Sequence, residues 1–175
     1  MSLRNQGKSS SKILHETPWT RWVERPWGSD FWYGVELSDY VQVIARTTDG
    51  KFPLVRQFRP AVGLVTTELV AGLLDGEEGP LETARQELRE EAGYVGGEWA
   101  HLDTRHVDTG RLDNQVHTYV ANNVEPMKGF QPEKGIERIL VKGPELDVMI
   151  EKGEISNSVQ VMGYLLALKR GYFAD

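Results

Sequence analysis

Residues 72–94 read GLLDGEEGPLETARQELREEAGY, and their reading decides the fold. Pro80 suits a first helical position, because it lacks only an N–H that would go unbonded there. From Leu81 the apolar residues Leu81, Ala84, Leu88 and Ala92 recur at spacings of three and four, one face of an amphipathic helix. Gly93 supplies its C-terminal stop. At about 100° per residue, Glu87, Glu90 and Glu91 fall within roughly a 100° arc of that helix, and are expected to face away from the core. Three carboxylates on one arc repel one another and resist full ionisation. A hard dication such as Mg²⁺ or Mn²⁺ would relieve the repulsion, since these ions favour oxygen ligands. The plainer reading of an isolated E-x-x-E-E is a solvated acidic face on a surface helix.

The residues fixed around the helix separate the two readings. Gly72, Glu78, Glu87, Leu88, Glu90, Glu91, Gly93 and Tyr94 sit at the matching positions of G-x5-E-x7-R-E-U-x-E-E-x-G-U, with U a bulky apolar residue. The segment thus resembles the Nudix box. One position departs, with Gln86 where that family usually has an arginine that orients the neighbouring carboxylates. Gln donates hydrogen bonds but brings no charge, and Arg85 points about 100° away. The resemblance implies an α/β/α sandwich, an α+β fold with a mixed sheet flanked by helices. It also implies a metal-dependent hydrolase, with Glu87, Glu90 and Glu91 as ligands of Mg²⁺ or Mn²⁺ and the carbonyl of Ala71 or Gly72 as a further ligand.

Upstream residues narrow the branch. Gln57-Phe58-Arg59-Pro60, then Glu68, Ala71 and Gly72, resemble the Q-[YF]-R-P and E-x-P-A-G segments of the ADP-ribose and nucleoside diphosphate sugar pyrophosphatases. The likeness runs from roughly Gln42 to Lys169. Val70 replaces the usual proline of the second segment, and Thr109 replaces a proline frequent after the box. The resemblance implies cleavage of a pyrophosphate in a nucleoside diphosphate sugar, giving a nucleoside monophosphate and a sugar phosphate. Hydrolysis of nucleoside triphosphates or dinucleoside polyphosphates is the alternative within the family. A sensor that binds a nucleotide sugar without cleaving it is the alternative outside catalysis. Such domains tend to lose box glutamates, and this chain keeps them.

In that branch the general base comes from a glutamate in a loop well after the box. Glu133, in a Gly/Pro/Lys-rich loop, is the first candidate and Glu137 the second; loops carry function more often than the elements they join. Arg56 and Arg59 can clamp phosphate through forked hydrogen bonds, though strand alternation puts them on opposite faces. The match favours Arg59, with Glu68 beside it, and Arg111 is a weaker candidate. Trp27 and Trp32 are candidates for stacking a nucleobase, which in this branch often happens across a dimer. Packing is the plainer role for any one tryptophan. His15, His101, His106 and His117 show no metal-ligand spacing.

The rest of the chain frames these motifs. Its 175 residues suit one domain with a sizeable core. A net charge of −6 argues against a nucleic-acid surface. No apolar run approaches the ~20 residues of a membrane span. There is no cysteine, which excludes disulfides and thiol nucleophiles and fits a cytoplasmic protein. Residues 1–12 are expected to be a polar tail. Residues 13–37, with four of the five tryptophans, are expected to form a small β unit that contacts a second copy in a homodimer. Residues 38–175 then form the catalytic domain. Strands are expected at 40–48, 52–58, 97–107, 115–122 and 136–142, and helices at 144–152 and 158–170.

Overall fold

The computed structural model describes residues 11–173. In chain order its strands are β1 (Lys12–Glu16), β2 (Thr20–Trp27), β3 (Asp30–Leu37), β4 (Tyr40–Thr47), β5 (Lys51–Arg59), β6 (Leu64–Glu68) and β7 (Val70–Leu73). Helix α1 (Pro80–Glu87) follows and runs into a π-helical turn, Leu88–Ala92. After it come β8 (Tyr94–Val95), β9 (Glu98–His106), β10 (Gln115–Pro126), β11 (Ile136–Lys142), α2 (Gly143–Glu151) and α3 (Ser158–Lys169).

In β4 every residue from Val41 to Ala45 is buried, so apolar layers must cover both faces. Period-two alternation sorts them. Val41, Val43 and Ala45 meet Ala84 and Leu88 of the first helix. Ile44 meets Tyr164 and Ala167 of α3 on the other face. The molecule is therefore helix, sheet, helix. β4 lies parallel to β10 and antiparallel to β7, and β9 pairs the far side of β10. A second antiparallel sheet runs β11-β5-β6. Pro53 is accommodated at the start of β5, because β6 pairs only Val55 to Arg59.

The expected strands and late helices are present, and β10 runs on to Pro126. Three short strands, β6, β7 and β8, have no counterpart among those expected. The box helix also differs, because it is not one regular α-helix. Its last turn is π-helical, a wider turn with i→i+5 bonding. The steady 100° step therefore fails after Glu87. Leu88 and Ala92 stay in the core, and Glu91, which was expected to face water, is only 7% exposed; even the regular step sets it about 20° from Ala84, at the edge of the apolar stripe.

Residues 1–10 of the expected tail lie outside the described residues, and β1 already begins at Lys12. β1, β2 and β3 form a separate antiparallel sheet. It is fastened to the body at the 108–114 loop: the Val35 N–H donates to the Arg111 carbonyl (2.8 Å), and the Leu37 N–H to Asp113 Oδ1 (3.1 Å). No helix among the described residues is long and apolar enough to cross a membrane.

Candidate active site

The box helix starts where the sequence places it, with Gly79 as N-cap and Pro80 in the first turn. It stops at Gly93, whose φ of 69° needs no strained Cβ. Between these ends the helix lies against β7. A Cβ on Gly72 would stand 1.9 Å from Glu87 Oε1, so glycine there is what lets the Glu87 carboxylate reach the backbone. Glu91 accepts the Ala71 N–H at 3.3 Å. Glu90 is more exposed and accepts Gln86 Nε2 and Arg89 Nη2 on the same oxygen, both at 3.1 Å. Gln86 thus supplies a hydrogen bond where the usual residue is arginine, and Arg89 supplies the charge.

Burial pushes the Glu87 carboxyl up to about 7, with the charges of Glu90, Glu133 and Asp75 adding to it. Burial likewise raises Glu91 to about 7; Glu87 and Glu68 add to this, while the Ala71 N–H and Arg59 pull the other way. Crowded, partly desolvated carboxylates that Arg89 and Arg59 offset only in part are a poor arrangement by themselves. They suit a hard dication, which takes oxygen donors only. Among the described residues no three such side chains already converge on one point. The fit rests on the donor chemistry, on the cleft that Gly72 leaves for Glu87, and on Glu91 turned toward the same strand.

Arg59 stands beside this group. Its Nε and Nη2 donate to the two oxygens of Glu68, at 2.8 and 2.6 Å. Thr66 Oγ1 adds a bond of 2.5 Å to Glu68, and Gln160 of α3 bonds the Leu69 backbone next to it. Burial alone would raise the Glu68 carboxyl, but the bonds from Arg59 and Thr66 outweigh it and hold it below its usual value. Glu68 therefore sits behind Arg59 as its anchor, itself buried. Arg56 points to the other side of β5 and pairs with Glu137 at 3.3 Å. Arg111 is paired with Asp108 at 3.0 Å and is 81% exposed; its carbonyl, rather than its side chain, is what holds β3.

The register of β2 on β3 places Trp32 opposite Arg25 and Gly34 opposite Val23. Alternation then puts Trp27 and Trp32 on the face that carries buried Val23. Trp22, Phe31 and Tyr33 are on the opposite face. Trp27 and Trp32 lie toward the hairpin tip and stay 72% and 49% exposed.

Glu133 lies in the exposed loop after β10, close enough to raise the Glu87 carboxyl. Arg89, Glu90, Met127, Phe130, Gln131 and Glu133 line a shallow cavity of about 390 Å³. Thr66, Gln160, Arg89 and Phe130 were not singled out from the sequence. For Gln160 no local signal existed, since its partner is 91 residues away. Arg89 was legible, one residue before Glu90 on the box helix.

The family model for the NUDIX domain matches residues 37–147. An ADP-ribose pyrophosphatase of Mycobacterium tuberculosis (strain ATCC 25618 / H37Rv) is 34% identical over 137 residues, 75% of this chain and 65% of that protein. An ADP-ribose pyrophosphatase of Bacillus subtilis (strain 168) is 33% identical over 88 residues, 50% of this chain and 48% of that protein. The chain thus spans between about half and two thirds of the length of these curated relatives. A crystal structure of an ADP compounds hydrolase shares the fold, with a TM-score of 0.75 at 15% identity, over 92% of this chain and 91% of that one.

Proposed function

The chain belongs to the NUDIX domain family, and from that premise we propose that it hydrolyses the pyrophosphate of ADP-ribose or a related nucleoside diphosphate sugar. The products are a nucleoside monophosphate and a sugar phosphate. The observation that carries the reading is the placement of Glu87 against Gly72 and of Glu91 on the Ala71 N–H, near the guanidinium of Arg59 that Glu68 anchors. The names of the two pyrophosphatase relatives support ADP-ribose as the first compound to test.

In this reading Glu87, Glu90, Glu91 and the carbonyl of Ala71 or Gly72 hold Mg²⁺ or Mn²⁺. A cation bound there would supply charge neutralisation at the phosphate oxygens and a more acidic water. Glu133 accepts a proton from the attacking water as the water oxygen bonds one phosphorus and the bridging P–O bond breaks, its electron pair leaving with the second phosphate. Arg59, held by Glu68, offers a fork to phosphate oxygens, and Arg56 and Arg111 stand further out. Trp27 and Trp32 offer flat surfaces to the base, completed by a second copy in a cytoplasmic homodimer. Positioning and charge neutralisation are what such a transfer asks of the protein. The test is incubation with ADP-ribose, other diphosphate sugars and nucleoside triphosphates in Mg²⁺, scored by monophosphate released. Preference for triphosphates, or tight binding of ADP-ribose with no cleavage, would overturn the proposal.

A further inference from the structure

Glu133 is carried by a segment with little structure of its own. Residues 127–135 join β10 to β11, and Gly129 and Gly135 both have positive φ. Of these residues only Met127 and Phe130 are not exposed. A loop of this kind samples many conformations unless something fixes it. The Met127 N–H donates to the Gly93 carbonyl at 2.8 Å, and the Ile136 N–H to the Glu133 carbonyl at 3.0 Å. Between them lies one side-chain anchor. The Phe130 ring rests on the backbone of Gly93, so closely that a Cβ there would come within 2.2 Å of the ring.

The same ring is held from β11. Arg138 Cζ lies 5.0 Å from the centre of Phe130 and 5.5 Å from the centre of Tyr94, both within cation–π range. Arg138 Nη1 also donates to the Ala92 carbonyl at 3.0 Å. One guanidinium therefore joins the loop, the end of the box helix and the residue after it. Arginine suits this, since its plane faces aromatic rings while its edge keeps hydrogen-bond donors. The anchored ring and Glu133 line the same cavity as Glu90.

The geometry points to Phe130 and Arg138 as positioning residues that latch the 127–135 loop onto the C-terminal end of the box helix, and so hold Glu133 beside Glu87. The inference rests on Glu133 as the general base. Its first readout needs neither metal nor substrate. In Phe130→Ala, hydrogen exchange of the Met127 and Ile136 amides should rise by about tenfold or more, because the Met127 bond to Gly93 and the turn at Glu133 open with the loop. Exchange in β4 should stay as it was. Phe130→Tyr keeps the ring and should keep the protection. Arg138→Lys keeps the charge but not the planar contact, and should lose protection in part; it also serves if Phe130→Ala does not fold.

The second readout is a double-mutant cycle on kcat. Phe130→Ala should lower kcat by about tenfold or more with KM little changed, and should cost almost nothing further in a Glu133→Gln background. Unchanged loop exchange in both variants would overturn the latch. Faster exchange with the same kcat loss in the Glu133→Gln background would overturn its role in placing Glu133. Full turnover by Glu133→Gln alone would instead remove the base assignment, leaving the latch itself to be decided by exchange.

Discussion

With its carboxyl raised to about 7 and its side chain nearly buried, Glu91 couples stability to pH, and Glu87 does the same. Between their ordinary value of 4.5 and about 7, the folded protein holds protons that the unfolded chain has released. Stability then falls as pH rises through that window. In chelator, the Tm is expected to drop between pH 5 and pH 8, as followed by calorimetry, and Mg²⁺ at pH 8 should recover it through preferential binding to the folded state. Glu91→Gln should flatten the drop and cut turnover by about 10²-fold or more, since a charged ligand is lost. A pH response of Tm identical in wild type and Glu91→Gln would refute the assignment. At Arg59 the logic runs the other way. Glu68→Gln removes the charge that anchors it; because Arg59 is 43% exposed, the cost should be about 1–3 kcal/mol, below that of a fully buried pair. Denaturant unfolding and KM for ADP-ribose, expected to rise, check this together.

At the scale of the element, the box helix shows what a sequence can and cannot reveal. Its start at Pro80, its stop at Gly93 and its apolar stripe are local features, and they were legible. The π-helical last turn was not, because a 3.6-residue period reads the same stripe through either geometry until packing decides. The short strands β6 and β7 were hidden for a related reason. They are five and four residues long and exist through pairing with β5 and β4, with Gln160 of α3 closing the joint between them. The glycines of this element lend themselves to a test. Gly72→Ala puts a Cβ against the movable end of Glu87, so turnover should fall by about 10-fold or more with Tm nearly kept. Gly93→Ala adds to the positive-φ penalty a clash with the Phe130 ring. Gly96→Ala shares the positive φ but meets nothing within 4 Å. Both should lose about 1–2 kcal/mol for the left-handed backbone, and Gly93→Ala measurably more in the same melts. Equal losses would mean that the ring gives way freely.

At the scale of the whole molecule, the sheet β1-β2-β3 leaves an imbalance. Trp19, Trp22, Trp27, Phe31, Trp32 and Tyr33 are each about half exposed or more. At ~150–250 Å² per aromatic side chain, that leaves roughly 450–750 Å² of ring surface in water on one small unit. Monomers seldom tolerate so much, and stable interfaces bury about 800 Å² per partner. The two faces of the hairpin are not equivalent. Trp22, Phe31 and Tyr33 share the face opposite buried Val23, whereas Trp27 and Trp32 extend the face that Val23 occupies. The outer face is therefore expected to serve association, and the tip of the inner face the nucleobase. Replacing Phe31 and Tyr33 with serine should shift sedimentation toward a monomer and lower activity as protein is diluted into the nanomolar range. Replacing Trp27 or Trp32 with alanine should leave the sedimenting species unchanged and raise KM by about tenfold, the loss of one stacking contact. If wild type sediments as a monomer with concentration-independent activity, the aromatic sheet has some other purpose. If Trp27 and Trp32 change association while KM holds, the faces have been assigned the wrong way round.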